Sequence, residues 1–293
     1  MSAELDHGPA LRNAAGQKTY VVWLRLGLAY TALLIGSVVM ILPFLWMVST
    51  SLKTSPEVFA YPVIWVPETI KWSNYSEVTK LLPFWRYLFN TAFVTTAVTI
   101  LEVVTSSLAA YAFARLRFRG RDQLFLLYLG TLMIPGQVTL IPNFLLMRWF
   151  GWIDTYLALI IPTAFSAFGT FLLRQFFLSI PRELEEAARV DGASHFRVYW
   201  QIILPLSGPA LATLAVFSFM SQWNAFIWPM IVTHSETTRT LTVGLRFFQD
   251  ELVTQFNYLM AGTVMSIVPV LVLFLALQRY FVRGIAMTGM GGR

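Results

Sequence analysis

Few residues in this chain could do chemistry. Cysteine is absent, so thiol nucleophiles, disulfides and thiolate metal sites are excluded. His7, His195 and His234 are scattered, and no pair of them has metal-ligand spacing, so no metal site is expected. There is no GxxxxGK[ST] phosphate loop, so ATP would have to be bound by another chain. Two features remain. Glu102 is the one acid in a long uncharged run, where an ionised carboxylate at the bilayer centre costs about 2.5–3.5 kcal/mol. Such an acid faces a pore or a helix partner, or stays protonated, and ion coupling is one chemistry open to it. The other feature is PRELEEAARVDGASHFRVYWQIILPLSGP (181–209). Arg182, Glu183, Glu185, Glu186, Arg189, Asp191 and Arg197 crowd into its first part, although only 12% of the chain is charged.

The elements that must position these residues are apolar. The chain is 57% hydrophobic and its mean hydropathy is +0.63. Its charged share is half the usual quarter. This composition predicts an all-α integral membrane protein. Six runs are long enough to cross a hydrocarbon core, near 24–49, 87–113, 123–147, 155–178, 207–232 and 257–281. The first is uncharged from Leu26 to Leu52, longer than the roughly 7–15 residues of a signal-peptide core, and reads as a retained anchor. Fourteen of the 21 Lys and Arg residues fall on the side holding the N-terminus, the loops after the second and fourth runs, and the C-terminus. That side is expected to face the cytoplasm, with both termini inside. The net charge of +6 is read as this topology signal and not as nucleic-acid binding. RLRFRGR (115–121) is its sharpest part; a stop-transfer loop explains it, with phosphate binding as the alternative. Residues 1–20 read as a flexible tail, and 21–293 as one membrane domain.

Within 181–209, Ser179 is a plausible cap and Pro181 an early helical residue. The three glutamates then lie where the helix dipole favours anions. Asp191-Gly192 ends this helix, Ser194 caps a second one over about 195–203, and Pro205 stops or kinks that one. An acidic leading helix would be repelled by anionic lipid. A protein partner with a basic-rimmed groove fits better.

These residues resemble a known motif. Glu186-Ala187-Ala188, then Asp191-Gly192-Ala193, then Ile203-Leu204-Pro205 are similar to the EAA loop of binding-protein-dependent ABC transporter permeases. SLKTSPEVF (51–59), AAYAFARLRFRGR (109–121), SQWNAFIWP (221–229) and LTVGLRFFQ (241–249) resemble the MalG-like subunit of the carbohydrate-uptake branch. The resemblance implies a subunit without enzymatic activity in a bacterial or archaeal cytoplasmic (inner) membrane. A loop over 181–206, between the fourth and fifth spans, would couple it to two copies of a cytoplasmic ATPase, which bind the ATP and Mg. It also implies a second, homologous permease and an extracytoplasmic solute-binding protein, with lipid around the whole. Glu186 would meet a basic ATPase residue, Ala187 and Ala188 would allow close seating, and Gly192 would make the turn. Asp191, Leu204 and Pro205 complete the motif. Thr240, Leu241, Gly244 and Phe247, in the external loop 233–256, would face the binding protein. The tail MTGMGGR (287–293) departs from the lysine-containing ends common in the family.

Along the solute path the candidates are Glu102, Gln137, Trp223 and Asn224. Trp223 is read mainly as packing, and Asn224 as a pore-lining or helix-bridging amide. Pro135-Gly136 and Pro142 are expected to break the third run. The reading is an ATP-driven importer of a sugar or related solute. The alternative is an ion-driven carrier using Glu102.

Overall fold

The computed structural model describes the backbone of residues 10–250 and 255–289, and the side chains of 23–249 and 255–275. Residues 1–9 of the expected tail, 251–254 of the external loop and 290–293 lie outside the described residues. All regular structure among the described residues is helical.

The chain opens with α1 (Ala10–Ser51), whose 42 residues extend to about 63 Å at 1.5 Å per residue. The apolar stretch Trp23–Ser51 buries none of its most hydrophobic window against the rest of the chain. A helix that is apolar all round belongs in lipid or against another apolar surface. A capped turn, α2 (Ser55–Val58), and the helix α3 (Ser73–Leu81) follow. The central element is α4 (Phe84–Arg115), 32 residues long.

After α4 the expected long spans are broken. The run at 123–147 is two helices, α5 (Arg121–Gly130) and α6 (Gly136–Trp149), meeting at 99°. Ile134 is forced out of the helical region (φ −86°, ψ 113°) by the ring of Pro135. Pro142, also expected to break the run, lies inside α6. The fourth run is α7 (Tyr156–Ile160) and α8 (Ala167–Ser179), bent by 43°. The Ser166 hydroxyl caps α8 by accepting from Gly169 N–H at 3.0 Å.

Two short helices, α9 (Glu183–Val190) and α10 (His195–Val198), lead through a wider turn to α11 (Leu204–Leu206) and α12 (Gly208–Trp223). The fifth run does not continue to 232. It stops at Asn224, and a separate α13 (Ile227–Val232) follows. The chain closes with α14 (Leu241–Leu245), α15 (Phe247–Asp250) and α16 (Phe256–Gly289). Three helices among the described residues are long and apolar enough to cross a membrane alone, and three bent pairs reach that length together.

Three buried clusters hold these elements. At the arginine-rich end, Tyr111, Leu173, Phe177, Tyr199, Ile203 and Leu214 join α4, α8 and α12 to the segment after α10. Gly169 permits the close approach there, since a Cβ would lie 2.7 Å from Ser106 Oγ and 3.0 Å from Leu214. At the opposite end, Phe84, Tyr87, Leu241 and Leu259 form a second cluster, and Val98, Met147, Leu159 and Val232 a third.

Candidate functional site

The arginine-rich end carries the expected motif on α9 and α10. Glu183, Glu185 and Glu186 stand in the first turn of α9 and Arg189 in its last, both favoured by the helix dipole. Ser179 is not the cap. It is the last residue of α8, its hydroxyl donates to Phe176 O at 2.7 Å, and Arg182 holds the cap position. The end of α9 is a Schellman turn: Ala193 N–H donates to Ala188 O at 2.9 Å and Gly192 N–H to Arg189 O at 3.0 Å. It requires the left-handed backbone that Gly192 adopts (φ +81°). Asp191 precedes that glycine as the C-cap of α9. Ser194 then caps α10, accepting from Arg197 N–H at 3.3 Å.

Pro205 does not end this second stretch. Tyr199–Ile203 widens into a π-helical turn, in which Leu204 N–H reaches Tyr199 O. That turn accommodates a proline with no N–H to donate and a ring that would clash within a regular helix. The bend, 78°, falls two residues later at Ser207. Ser207 fastens it, with its N–H at 3.1 Å from Ile203 O and its hydroxyl at 2.7 Å from the same oxygen.

What fixes α9 to the membrane helices was not legible in the sequence. Arg115, at the end of α4, places Nε 2.9 Å from Glu185 Oε1, with the two side chains 2% and 15% exposed. Its Nη2 also donates to Ile180 O at 2.6 Å and to Phe177 O. One guanidinium thus ties α4, the end of α8 and α9 together. Tyr111 O–H donates to His195 O at 3.0 Å, and Ser107 and Tyr199 share a hydrogen bond of 2.8 Å. The two neighbouring glutamates therefore separate: Glu185 points into the protein and Glu186 outward. The alanines separate too, since Ala188 packs on the core cluster and Ala187 is exposed. Leu184 and Val190 are exposed beside Ala187, giving α9 a short exposed apolar strip rimmed by charge. Arg182, Glu186, Arg189 and His195 line a cleft of about 510 Å³ next to it.

The solute-path candidates are not brought together. Glu102 accepts a hydrogen bond from Ser218 of α12, so it faces a helix partner, one of the settings open to it in the sequence. Trp223 is buried, stacks on Phe219 and donates to Ser266 O at 3.2 Å, as expected for packing. Asn224 is exposed, and its amide returns to Met220 O of its own helix at 2.8 Å. It therefore bridges no helices among the described residues. Gln137 is exposed on the first turn of α6. Among the external-loop candidates Thr240, Leu241 and Gly244 are buried, and a Cβ on Gly244 would lie 2.2 Å from the Tyr87 ring. These three hold the loop in place, and of the four only Phe247 shows its side chain, 47% exposed.

That loop is fastened by a network the sequence did not reveal. Asp154 (φ +61°) accepts from the N–H groups of His234 at 2.9 Å and Ser235 at 3.1 Å, and from the Thr238 hydroxyl. Burial alone would raise its pKa. Donation by Thr238, His234 and Ser235 outweighs this and holds the carboxyl well below the usual range. Asn90 adds bonds to Thr237 O and Arg239 O, at 3.0 and 2.8 Å. No group of three or more potential metal ligands occurs among the described residues.

Comparison with known proteins identifies the scaffold. Residues 102–287 match the family of binding-protein-dependent transport system inner membrane components. The chain belongs to that family. It is 34% identical to the arabinooligosaccharides transport system permease protein AraQ of Halalkalibacterium halodurans, over 92% of this chain and 96% of that one. It is 36% identical to the sn-glycerol-3-phosphate transport system permease protein UgpE of Rhizobium meliloti, over 89% and 96%. A solved bacterial ABC transporter involved in import of the acidic polysaccharide alginate superposes with a TM-score of 0.78 at 29% identity, covering 87% of this chain and 96% of its own. The permease is thus a multi-pass membrane protein and a transport subunit, not an enzyme.

Proposed function

We propose that this permease forms the translocation path of an ATP-driven importer of a sugar or related solute, in a bacterial or archaeal cytoplasmic membrane. The three long helices and three bent pairs make six spans, with both termini and the α9–α10 loop in the cytoplasm. A second permease completes the path, and a binding protein delivers solute to the opposite face. ATP and Mg are bound by two copies of a separate ATPase. The named relatives that move arabinooligosaccharides and an alginate polysaccharide support the solute class.

The observation that carries this reading is the split between Glu185 and Glu186. A loop that only had to lie on the membrane would not need an acid locked by a buried arginine beside one left outside. In support, Glu185 pairs with Arg115 at the end of α4, while Glu186, Ala187 and the apolar strip are left exposed and open to a partner. A rigid element can pass ATPase closure to α12 through Ser207. The ion-driven alternative has less support, because the matching family is that of binding-protein-dependent transport systems.

The test is affinity purification of the natural chain and of Glu186→Lys from native membranes, with the partners identified by mass spectrometry. A second permease and a soluble ATPase should accompany the natural chain, and the charge reversal should deplete the ATPase alone. Equal ATPase recovery with both chains would refute the docking role of α9.

A further inference from the structure

A second cleft, of about 410 Å³, opens beside the α9 face and is lined by Arg117, Phe118, Arg121, Asp122 and Arg182. Three arginines face one carboxylate there, and that carboxylate is taken by Arg121 at 2.9 Å. The cleft lies in the turn between α4 and the bent α5–α6 pair, both apolar enough to belong to membrane spans, so it sits where a bilayer changes from hydrocarbon to headgroup. Its surroundings are amphipathic. Phe118 is 42% exposed within the arginine run, and along α5 Leu124 and Leu127 are 51% and 71% exposed. Gly120, at φ +82°, turns the chain so that α5 leaves directly from the arginine cleft.

We infer that this cleft binds the phosphodiester headgroup of an anionic phospholipid, with Arg117 and Arg182 on the phosphate and the acyl chains along Leu124 and Leu127. Guanidinium groups match phosphate oxygens in bidentate geometry. A soluble phosphate would use the arginines and gain nothing from the leucine face. A cytoplasmic protein would meet that face only by entering the hydrocarbon. A lipid uses both faces, held beside the α9 face because Arg182 lines both clefts; the second permease, the membrane protein that could cover the leucines instead, is told apart by loss of a co-purifying chain.

The experiment reconstitutes the permease, with whatever chains co-purify, in nanodiscs of equimolar phosphatidylcholine and phosphatidylglycerol. It then counts lipids retained after mild detergent release by native mass spectrometry. Two arginines near a membrane surface predict about 30-fold weaker retention of phosphatidylglycerol in Arg117→Gln/Arg182→Gln, with phosphatidylcholine unaffected. Arg119→Gln, outside the cleft, should retain phosphatidylglycerol, as should the charge-keeping Arg117→Lys/Arg182→Lys to a large degree. Unchanged phosphatidylglycerol in the double glutamine variant overturns the inference. So does equal loss of both lipids, or loss of a co-purifying chain with lipid retention intact. Were the double variant to misfold, Arg117→Gln alone carries the same comparison.

Discussion

At the scale of single residues, the informative side chains are those whose neighbours in sequence do something different. Glu185 and Glu186 are indistinguishable by type, and helix periodicity alone does not separate them, because the apolar strip of α9, with Leu184 and Val190, is exposed instead of facing the core. Only the packing against Arg115 decides. Removing that arginine leaves a buried carboxylate alone, which costs about 3–5 kcal/mol, whereas replacing both partners with apolar residues is often nearly neutral. Arg115→Ala should therefore lower the melting temperature of the detergent-purified permease sharply. Arg115→Met/Glu185→Leu should recover most of the loss, and equal melting of the two variants would count against the pair as an anchor. Asp154 permits a pH test. Its folded-state pKa lies below its ordinary value of 3.8, so its contribution is complete above that range and is lost as pH falls through it. Asp154→Asn tolerates the same left-handed backbone but loses the charge-assisted bonds, for about 1.5–3 kcal/mol at neutral pH. Thermal melts should show the natural chain keeping its advantage over the variant from pH 7 down to about pH 4, and losing it progressively only at more acid pH, as the carboxyl protonates first in the unfolded chain and then in the folded one.

At the scale of elements, the sequence was most reliable where local chemistry decides and least reliable where a hydrophobic run conceals a break. Gly192 and Ser194 were legible because a left-handed turn and a helix cap each call for few residue types. The 99° corner at Pro135 was legible as a break but not as an angle. The stop at Asn224 was hidden, because SQWNAFIWP is apolar enough to continue a span and the interruption serves contacts distant in sequence. One is Thr242 O–H donating to Ala225 O at 2.7 Å. Two glycines test the element contacts. Gly192→Ala forces a Cβ into the left-handed region at about 1–2 kcal/mol, so ATPase recovery should fall while Gly192→Asn retains more of it. Gly169→Ala pushes on Ser106 and Leu214, and overpacking of this kind costs about 1–3 kcal/mol. A depressed melting temperature with ATPase recovery intact is the expected result for it.

At the scale of the whole molecule, class and fold were open in the sequence through composition, and the loop through its charge. Asp154, Asn90 and Arg115 were not, since each acts on backbone groups brought to it by the tertiary fold. The absence of cysteine makes the topology measurable. Thr237→Cys should react with an impermeant maleimide in intact spheroplasts and Arg119→Cys only after permeabilisation; the reverse pattern would invert the orientation. The corner at Ser207 has a mechanical consequence of its own. Two stiff arms meet there at 78°, one from His195 to Leu206 and the other along α12, and their lengths are about 18 and 24 Å at 1.5 Å per residue. A joint of this kind works as a bell crank: a push along the first arm emerges as a sideways sweep of the second. A rotation of about 5° moves the far end of α12 by about 2 Å at that arm length. Trp223 stands at that far end, stacked on Phe219 and bonded to α16, so any such sweep of α12 would be passed on to α16.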